Sequence, residues 1–274
     1  MNPTKTLTIS AFSALFVIFT TPSTAQAGIM DITITIENLA PTNSISFAPL
    51  RIGFGNGTFD SFNNGQAASA AIISVAEGGS GSAWFPAFAA AEPNSVRGSV
   101  GGALLPGATA SAVFTFDTMS ANTRFFTFAN MVIPSNDLFL GNDSPNAFQL
   151  FNPDGSLAIT SITQTAGQIW DANSEVAIAA NAAFLVGGNN DLRVAENGLI
   201  GFDRSELDIY NGLQTAAGYT FDSTLLPSSS QNIYRISFSS TASSAPEPGT
   251  LLLASTALGL LGIHRRLTRL RKKS

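Results

Sequence analysis

Short apolar segments, each ended within a few residues by Gly, Asn, Ser or Thr, limit what this chain can fold into more than any other feature of its sequence. One of them, residues 31–37, alternates strictly and places three isoleucines on one face of an extended strand. Phenylalanine occurs 21 times, whereas charged residues make up only 11% of the chain. An average protein is about 25% charged, so this composition favours buried strands.

The remaining segments follow the same pattern and define the predicted fold. Further strands are predicted at residues 47–54, 113–116, 125–133, 148–151, 157–163 and 234–238. The sequence Asn-Pro-Asp-Gly at residues 152–155 is a strong turn signal between two of them. Only residues 66–76 are rich enough in alanine to predict a helix. Many strands, one helix and no regular strand–helix alternation predict an all-β fold, an antiparallel β-sandwich with one short helix.

The central part of the chain is strongly acidic. Residues 28–245 contain six arginines, no lysine and seventeen aspartates and glutamates, which gives a net charge of six minus seventeen, or −11. Six of the thirteen basic residues of the whole chain lie between residues 265 and 273. Binding of nucleic acid needs a basic face that neutralises phosphates, so the sequence predicts no nucleic acid partner for this stretch.

Three residue types that carry much of enzyme chemistry are missing from the same stretch. The chain has no cysteine, and its one histidine is His264, near the C-terminus. Without a thiol, an imidazole or a lysine amine, residues 28–245 lack the groups for a cysteine nucleophile, a Ser-His-Asp triad or a Schiff base. We therefore predict that the protein is not an enzyme. The remaining ligands are oxygens, which suit hard cations, calcium first among them.

The N-terminal segment is typical of a secretory signal peptide. Lys5 precedes an apolar stretch at residues 7–20, and Ala-Gln-Ala at residues 25–27 supplies the small residues of a cleavage site. We predict that residues 1–27 are a signal peptide and that the mature chain begins near Gly28. An uncleaved N-terminal anchor helix is the alternative. Either interpretation places the following domain outside the cytoplasm.

The C-terminal end has three parts in a fixed order. Pro-Glu-Pro at residues 246–248 precedes an apolar run at residues 250–263 and a basic end. This order resembles the PEP-CTERM sorting signal of Gram-negative bacteria, which an exosortase is thought to cut near the Pro-Glu-Pro. We predict a linker at residues 241–249, followed by a short hydrophobic helix with a basic tail at residues 250–274.

The length of the apolar run bears on how the chain is held at the membrane. A helix of fourteen residues reaches about 21 Å, short of the roughly 30 Å of the hydrocarbon core. The resemblance therefore implies transient anchoring in the inner membrane, processing by an exosortase, and a final location in the cell envelope or the extracellular matrix. It also implies that the organism that makes this protein produces extracellular polysaccharide. A simple C-terminal membrane anchor, with the domain outside, is the alternative.

Three segments have the composition of a site, but each has a plainer interpretation. The glycines of residues 53–57 lack the spacing, the following helix and the lysine of a phosphate-binding loop, which favours a glycine-rich turn. The acidic cluster at residues 203–208 is interpreted as a solvated face, because Arg204 lies within it. Trp84 and Phe85 are interpreted as core or loop-filling residues, with a sugar-stacking platform as the alternative.

The sharper candidates are three acids in two loops. Asp137 follows a predicted strand that Pro134 ends, and Asp171 and Glu175 lie four residues apart in a loop of small polar residues. Calcium takes about six to eight oxygen ligands, which three carboxylates, loop carbonyls and water can supply. From spacing alone, three solvated loop acids remain the better interpretation.

Four blocks of sequence, in the same order, resemble the spondin domain family. They are residues 54–62 (FGNGTFDSF), followed by Gly65, Ala68 and Ser69; residues 75–79 (VAEGG); residues 131–137 (MVIPSND); and residues 170–175 (WDANSE). The resemblance implies a C2-like antiparallel β-sandwich at residues 28–240. It also implies a calcium ion held by Asp137, Asp171 and Glu175, which shifts the balance toward a metal site.

Together these features predict an exported, non-enzymatic adhesion or extracellular-matrix module with a structural calcium site. Its expected partner is extracellular polysaccharide or another surface or matrix component. The alternative is an envelope protein that binds glycan or exopolysaccharide through loops such as the one with Trp84 and Phe85. A hydrolase that uses two carboxylates is a third and less favoured interpretation, since a sequence shows no geometry across a cleft.

Overall fold

Strands dominate the part of the chain that the structure, a computed structural model, describes, namely residues 28–243. The strands are β1 (Ile29–Asn38), β2 (Ser46–Phe47), β3 (Leu50–Gly55), β4 (Val96–Val100), β5 (Thr109–Asp117), β6 (Phe125–Ile133), β7 (Leu138–Gly141), β8 (Ser161–Thr165), β9 (Trp170–Asp171), β10 (Gly201–Phe202) and β11 (Asn232–Ala242). The helices are α1 (Ala70–Ala76) and α2 (Trp84–Ala91), and short 3₁₀ helices cover Ala121–Thr123, Ala166–Gln168, Asn190–Leu192, Ser205–Tyr210 and Ser223–Leu225.

The predicted terminal segments cannot be compared with this structure. The signal peptide (residues 1–27), the Pro-Glu-Pro segment (246–248) and the hydrophobic helix with its basic tail (250–274) lie outside the described residues. Residues 28–243 form one compact unit. None of the helices in that unit is long and apolar enough to span a membrane.

The strands form two antiparallel sheets. The first sheet has the order β5-β1-β11-β8, and the second has the order β10-β9-β7-β6-β3-β4, with β2 paired to β6. Every strand pair in both sheets runs antiparallel. The prediction of an antiparallel β-sandwich is confirmed at this level.

The main core lies between the two sheets and follows from the alternation seen in the sequence. Ile32, Ile34 and Ile36 of β1 are fully buried, as the period of two in that strand predicts. They belong to one apolar cluster with Phe54 of β3 and Phe126 of β6. The intervening residues of β1 are partly exposed, so the first sheet has one face in the core and one toward solvent.

The second sheet is covered on both faces. Eight of the nine residues of β6 are buried, because α1 and α2 pack over the face that points away from the first sheet. A second apolar cluster forms there, and Trp84 of α2 lies inside it with no exposed surface, its ring centroid 5.3 Å from that of Phe59. The interpretation of Trp84 as a core residue is confirmed. Trp84 therefore offers no surface on which a sugar could stack.

Both helices differ from the sequence prediction. The helix predicted from residue 66 begins only at Ala70, because Ser69 caps it with its side chain. Helix α2 was not predicted, because the run Trp-Phe-Pro-Ala-Phe contains a proline and bulky aromatic residues. Pro86 is the third residue of α2, a first-turn position whose backbone N–H has no partner within a helix, so the proline is tolerated there.

Several strand predictions also need correction. Residues 148–151 and 157–160 form isolated bridges rather than strands. Strand β7 was not predicted; it is only four residues long, and its Gly141 pairs with Ala129 in the centre of the second sheet. The glycines at positions 53 and 55 belong to β3, not to a turn, and a Cβ atom on Gly53 would lie 1.7 Å from the ring of Phe88. That position is glycine because α2 packs directly on the strand.

The two ends of the described chain lie at the same end of the first sheet. Strands β1 and β11 are antiparallel neighbours, and Met30 pairs with Ala242 while Asn38 pairs with Tyr234 at the opposite end. Strand β11 continues through Ala242, two residues into the stretch predicted as a linker.

The cap of α1 provides a test of local structure. Ser69 Oγ accepts a hydrogen bond from the backbone N–H of Ile72, 3.3 Å away. Replacement of such a cap by alanine costs about 1 kcal/mol of helix or protein stability. We expect Ser69→Ala to lower the unfolding temperature of residues 28–243 by about 2–4 °C, measured by calorimetry. The control is Ser82→Ala, an exposed serine whose side chain caps no helix. Equal unfolding temperatures for the two variants would contradict this role for Ser69.

Candidate functional site

The pairing of β7 with β9 brings together two of the predicted acids. Asp137 lies in the turn between β6 and β7, immediately before Leu138, and Leu138 pairs with Asp171, the last residue of β9. The backbone N–H of Ala172 donates to the carbonyl oxygen of Asp137 at 3.3 Å. The two aspartates are 34 positions apart in the sequence, so the sheet, and not a local motif, creates their contact.

Asp137 is almost completely buried, with 1% of its surface exposed. Its Oδ2 atom accepts hydrogen bonds from the backbone N–H groups of Ser174 (2.6 Å) and Glu175 (3.0 Å) and from Ser174 Oγ (3.1 Å). Its Oδ1 atom is buried and has no hydrogen-bond donor. One side of the carboxylate is therefore fixed by the loop, while the other side lacks a partner.

Asp171 lies against this carboxyl group. Burial raises the pKa of Asp171 to about 7, and the negative charge of Asp137 adds to the shift. Burial also raises the pKa of Asp137, against the effect of the backbone hydrogen bonds from Ser174 and Glu175. The charges that act on Asp171 are those of Asp137 and Asp203, and both are negative. A proton or a cation between Asp137 and Asp171 would relieve this repulsion.

The loop that follows Asp171 turns sharply to reach Asp137. Asp171 Oδ1 accepts from the backbone N–H of Asn173 at 2.7 Å, and Asn173 has a left-handed backbone with a φ of 46°. Asparagine adopts this conformation more readily than most residues. The loop also passes close to Gly198, where a Cβ atom would lie 2.6 Å from that of Asn173. The pair Asn173 and Gly198 thus allows the tight return.

Glu175, the third predicted acid, is buried beside the aspartates but is bound differently. It is 2% exposed, and its Oε1 atom accepts from the side-chain amide nitrogens of Asn136 (3.2 Å) and Asn181. Burial raises the pKa of Glu175, and the charge of Asp137 contributes to the shift. The structure therefore brings all three predicted acids into one region, with Glu175 held by amides rather than by the other carboxylates.

Glu206 is a fourth buried acid in this region, and its interpretation as part of a solvated face is wrong. It is 8% exposed and accepts a hydrogen bond at Oε1 from the backbone N–H of Asn136 at 3.1 Å. Burial raises the pKa of Glu206 to about 9, with the charges of Asp137 and Asp171 adding to it. Asp203 and Asp208, the other acids of that cluster, are exposed.

A signal for Glu206 was present in the sequence. Leu207 and Tyr210 are spaced by three, the period of the 3₁₀ helix Ser205–Tyr210, and both are fully buried. The hydroxyl of Tyr210 donates to the side-chain carbonyl of Asn136. The apolar pair shows that this short helix faces inward and carries Glu206 with it.

An ion pair covers the outer side of the loop. Arg193 Nε donates to Glu77 Oε2 at 2.6 Å, and its Nη2 donates to the carbonyl of Ser174 at 3.2 Å. Ser174 Oγ also contacts Glu77 Oε1 at 2.8 Å. Glu77 belongs to a block that resembles the spondin family, but no role was predicted for it. It connects the end of α1 to the loop that holds Asp137.

Asp137 is the residue that most favours a bound cation at this site. No set of three or more acidic side chains in residues 28–243 surrounds a common point closely enough to hold a metal as the side chains stand. The donor set is nevertheless made of oxygens, as calcium requires. The partnerless Oδ1 of Asp137 is a buried anionic atom that a cation would satisfy, and Asp171 supplies a second carboxylate beside it.

A hollow lies next to this acidic region, on the other side of β9. It has a volume of about 160 Å³ and is lined by Ala166, Gly167, Ile169, Phe202, Asp203, Arg204 and Ser229. Phe202 belongs to β10 and pairs with Trp170 of β9. As a residue Phe202 is 56% exposed, in contrast to the buried Trp84. The exposed aromatic surface near the acids is therefore that of Phe202, which no sequence motif indicated.

Comparison with known proteins adds no relative. No protein-family model matches the chain, and no curated protein matches its sequence. The resemblances to the spondin domain and to the PEP-CTERM signal stay predictions that rest on the quoted residues.

Proposed function

We propose that this protein is an exported, non-enzymatic adhesion or extracellular-matrix module whose loops are held by a calcium ion. The fold proposed for residues 28–240 is the C2-like sandwich of the spondin family. The signal peptide and the exosortase signal would deliver it to the cell envelope or the matrix. The observation that carries the calcium site is the buried Oδ1 of Asp137, which has no donor and faces a second carboxylate.

Electrostatics favours a cation at this point. Two carboxylates buried in contact repel each other, and the cost of a buried charge is large unless a partner compensates it. The charges that act on Asp171 are both negative, and the arginine that acts on Asp137, Arg193, is already paired with Glu77. A divalent cation would neutralise both aspartates, with Glu175 and loop carbonyls close enough in the chain to complete an oxygen shell.

Burial favours a structural role for this site over a catalytic one. Asp137 and Glu175 are almost fully buried, and the ion pair between Glu77 and Arg193 lies over the loop. A polymeric substrate would need access to the reacting carboxylates, as in glycoside hydrolysis. The absence of His, Cys and Lys from residues 28–245 removes the usual partners of nucleophilic catalysis.

Glycan binding is the second candidate function, and the exposed ring of Phe202 favours it. Of the platform first considered for this role, Trp84 is buried and Phe85 is half-buried. Phe202 replaces it as the aromatic surface available to a sugar. Both candidate functions would use this surface. In a glycan-binding protein the main partner would be the sugar, whereas in a matrix module it could be a protein component.

Capture from the producer's own matrix tests the proposal. Immobilised protein is exposed to the extracellular matrix in the presence of calcium, and then of a chelator. We expect a polysaccharide or surface component to be retained with calcium and released without it, because empty acidic loops lose their fixed geometry. Retention that is identical with calcium and with chelator contradicts the calcium part of the proposal. Turnover of ester, phosphate or glycoside substrates by the metal-free protein contradicts the non-enzymatic part.

A further inference from the structure

We propose that the hollow beside Phe202 binds one hexose unit of a neutral polysaccharide. The inference takes its ligand class from the proposed matrix function, but the geometry of the hollow does not depend on the calcium site. The residues that line the hollow include Phe202 and the polar residues Asp203, Arg204 and Ser229, and most of the surface exposed inside it is polar. Phe202, which is 56% exposed, supplies apolar surface next to these polar groups.

The ring of Phe202 is a rigid platform with one free face. Its other face stacks on Trp170, with ring centroids 3.7 Å apart and planes inclined by 24°. Trp170 is itself buried, and its Nε1 donates to the carbonyl of Gly141 at 3.1 Å. The indole is thus fixed by the second sheet and holds the phenyl ring in place. A ligand that stacks on Phe202 therefore orders no flexible side chain.

The chemistry of a sugar ring matches this platform. The face of an aromatic ring carries partial negative charge, and the C–H groups on one face of a pyranose carry partial positive charge. An exposed phenylalanine next to a hollow leaves apolar surface in water, which a sugar face would cover. The volume of about 160 Å³ has room for a single pyranose ring.

The polar side of the hollow supplies acceptors and donors for hydroxyl groups. Asp203 is held by hydrogen bonds from the backbone N–H groups of Arg204 (2.6 Å) and Ser205 (2.8 Å), which lower its pKa and keep it ionised. Arg204 Nη1 donates a hydrogen bond to the carbonyl of Pro227 at 2.6 Å. The guanidinium has five N–H groups, so it retains donors for a ligand. One fixed carboxylate beside one fixed guanidinium suits neighbouring hydroxyls of a hexose.

Charge argues for a neutral sugar over an acidic one. Asp203 lines the hollow, and its charge acts on Asp171 of β9. The surrounding stretch of chain carries a net charge of −11. A uronic acid unit would bring a carboxylate into this field and be repelled, whereas a neutral hexose would not.

Calorimetric titration of the full-length protein in mild detergent tests the inference. The probes are cellohexaose and maltohexaose as neutral hexamers, and a hexamer of galacturonic acid as the charged one. We expect at least one neutral hexamer to bind, and the charged hexamer to bind more weakly. Phe202→Ala should weaken the neutral hexamer at least about tenfold, equivalent to about 1.4 kcal/mol. Phe202→Trp should retain binding, because it keeps an aromatic face.

The control is Leu199→Ala, which removes another apolar side chain, 60% exposed, three positions before Phe202. It should leave sugar binding unchanged. No binding of either neutral hexamer, or binding that survives Phe202→Ala, overturns the proposal, and so does a preference for the charged hexamer. The unfolding temperature separates this inference from the calcium site, since Phe202→Ala should keep the calcium response. Sugar binding that depends on Phe202 without any calcium response would defeat only the calcium site.

Discussion

Millimolar calcium is expected to raise the unfolding temperature of residues 28–243, and more strongly at pH 9 than at pH 5. Extracellular calcium sites often bind at about 10⁻⁴ to 10⁻³ M. At 10 mM calcium, about 100 times a dissociation constant of 10⁻⁴ M, the ion adds about 2.7 kcal/mol to the free energy of unfolding. For a domain of this size, that corresponds to a rise of about 5–10 °C. Differential scanning calorimetry with calcium and with chelator measures it.

The pH dependence follows from the acids of the site. Burial raises the pKa of Asp171 to about 7 and that of Glu206 to about 9, above their ordinary values of 3.8 and 4.5. The calcium-free folded protein therefore holds protons that the unfolded chain releases. The stability from these groups is complete below about pH 4 and is lost as the pH rises through the folded pKa values. Calcium replaces the protons at Asp171, so its effect grows with pH.

Two substitutions and one other metal sharpen this experiment. Asp171→Asn should remove most of the calcium response, because it removes a carboxylate that contacts Asp137. Asp208→Asn, an exposed acid two positions from Glu206, should leave the response intact. Magnesium should stabilise less, since it demands a tighter octahedral shell and gives up water reluctantly. An unfolding temperature indifferent to calcium at both pH values, with no heat of binding, defeats the site.

Glu92→Ala should destabilise the domain by about 3 kcal/mol, the largest effect we expect from a single substitution. Glu92 follows α2, is 3% exposed, and accepts backbone hydrogen bonds from Asn56 (2.5 Å), Thr58 (2.8 Å) and Phe59 (2.6 Å). A hydrogen bond to a charged group contributes about 1.5–3 kcal/mol, and a buried donor left without a partner costs more. Urea denaturation monitored by circular dichroism measures the loss.

The partners of Glu92 explain the size of the expected loss. The three N–H groups belong to the turn after β3, so one carboxylate ties α2 to the second sheet. Glu92→Gln keeps the size and one acceptor oxygen, and it should lose less stability than the alanine variant. Glu196→Ala, an exposed glutamate, is the control. If Glu92→Ala unfolds at the same urea concentration as Glu196→Ala, this carboxylate does not hold the turn.

The sequence predicted the strands whose burial follows a regular pattern. Residues 31–37 alternate because the first sheet has one face in water, and residues 125–133 are mostly apolar without alternation because β6 is covered on both faces. Helix α2 and β7 were missed for a physical reason. Their residues are buried by contacts with distant parts of the chain, so Pro86 and Gly141 looked like interruptions when only their neighbours were considered.

The sequence indicated which loops carry the acids of the site, but it did not show the hydrogen-bond partners of those acids. The resemblance indicated Asp137, Asp171 and Glu175, and the structure places all three in one region. The sequence showed neither the burial of Glu206 nor the amide of Asn136 that binds Glu175, because Asn136 meets these two acids from 70 and 39 positions away along the chain. Spacing along a chain indicates which acids share a loop, whereas contacts across the fold decide which oxygens remain free.

The position of Ser243, at the end of the described residues, determines the direction in which a pulling force would act on the domain. The hollow beside Phe202 lies near the start of β11, where Gly167 donates to the carbonyl of Ser229, whereas Ser243 leaves from the other end. A pull between a held polymer and Ser243 runs along β11, a central strand of the first sheet. Its hydrogen bonds to β1, across nine paired positions, are then loaded together in shear instead of opening one after another. A domain loaded in this direction resists tension with all the hydrogen bonds between β1 and β11 at once.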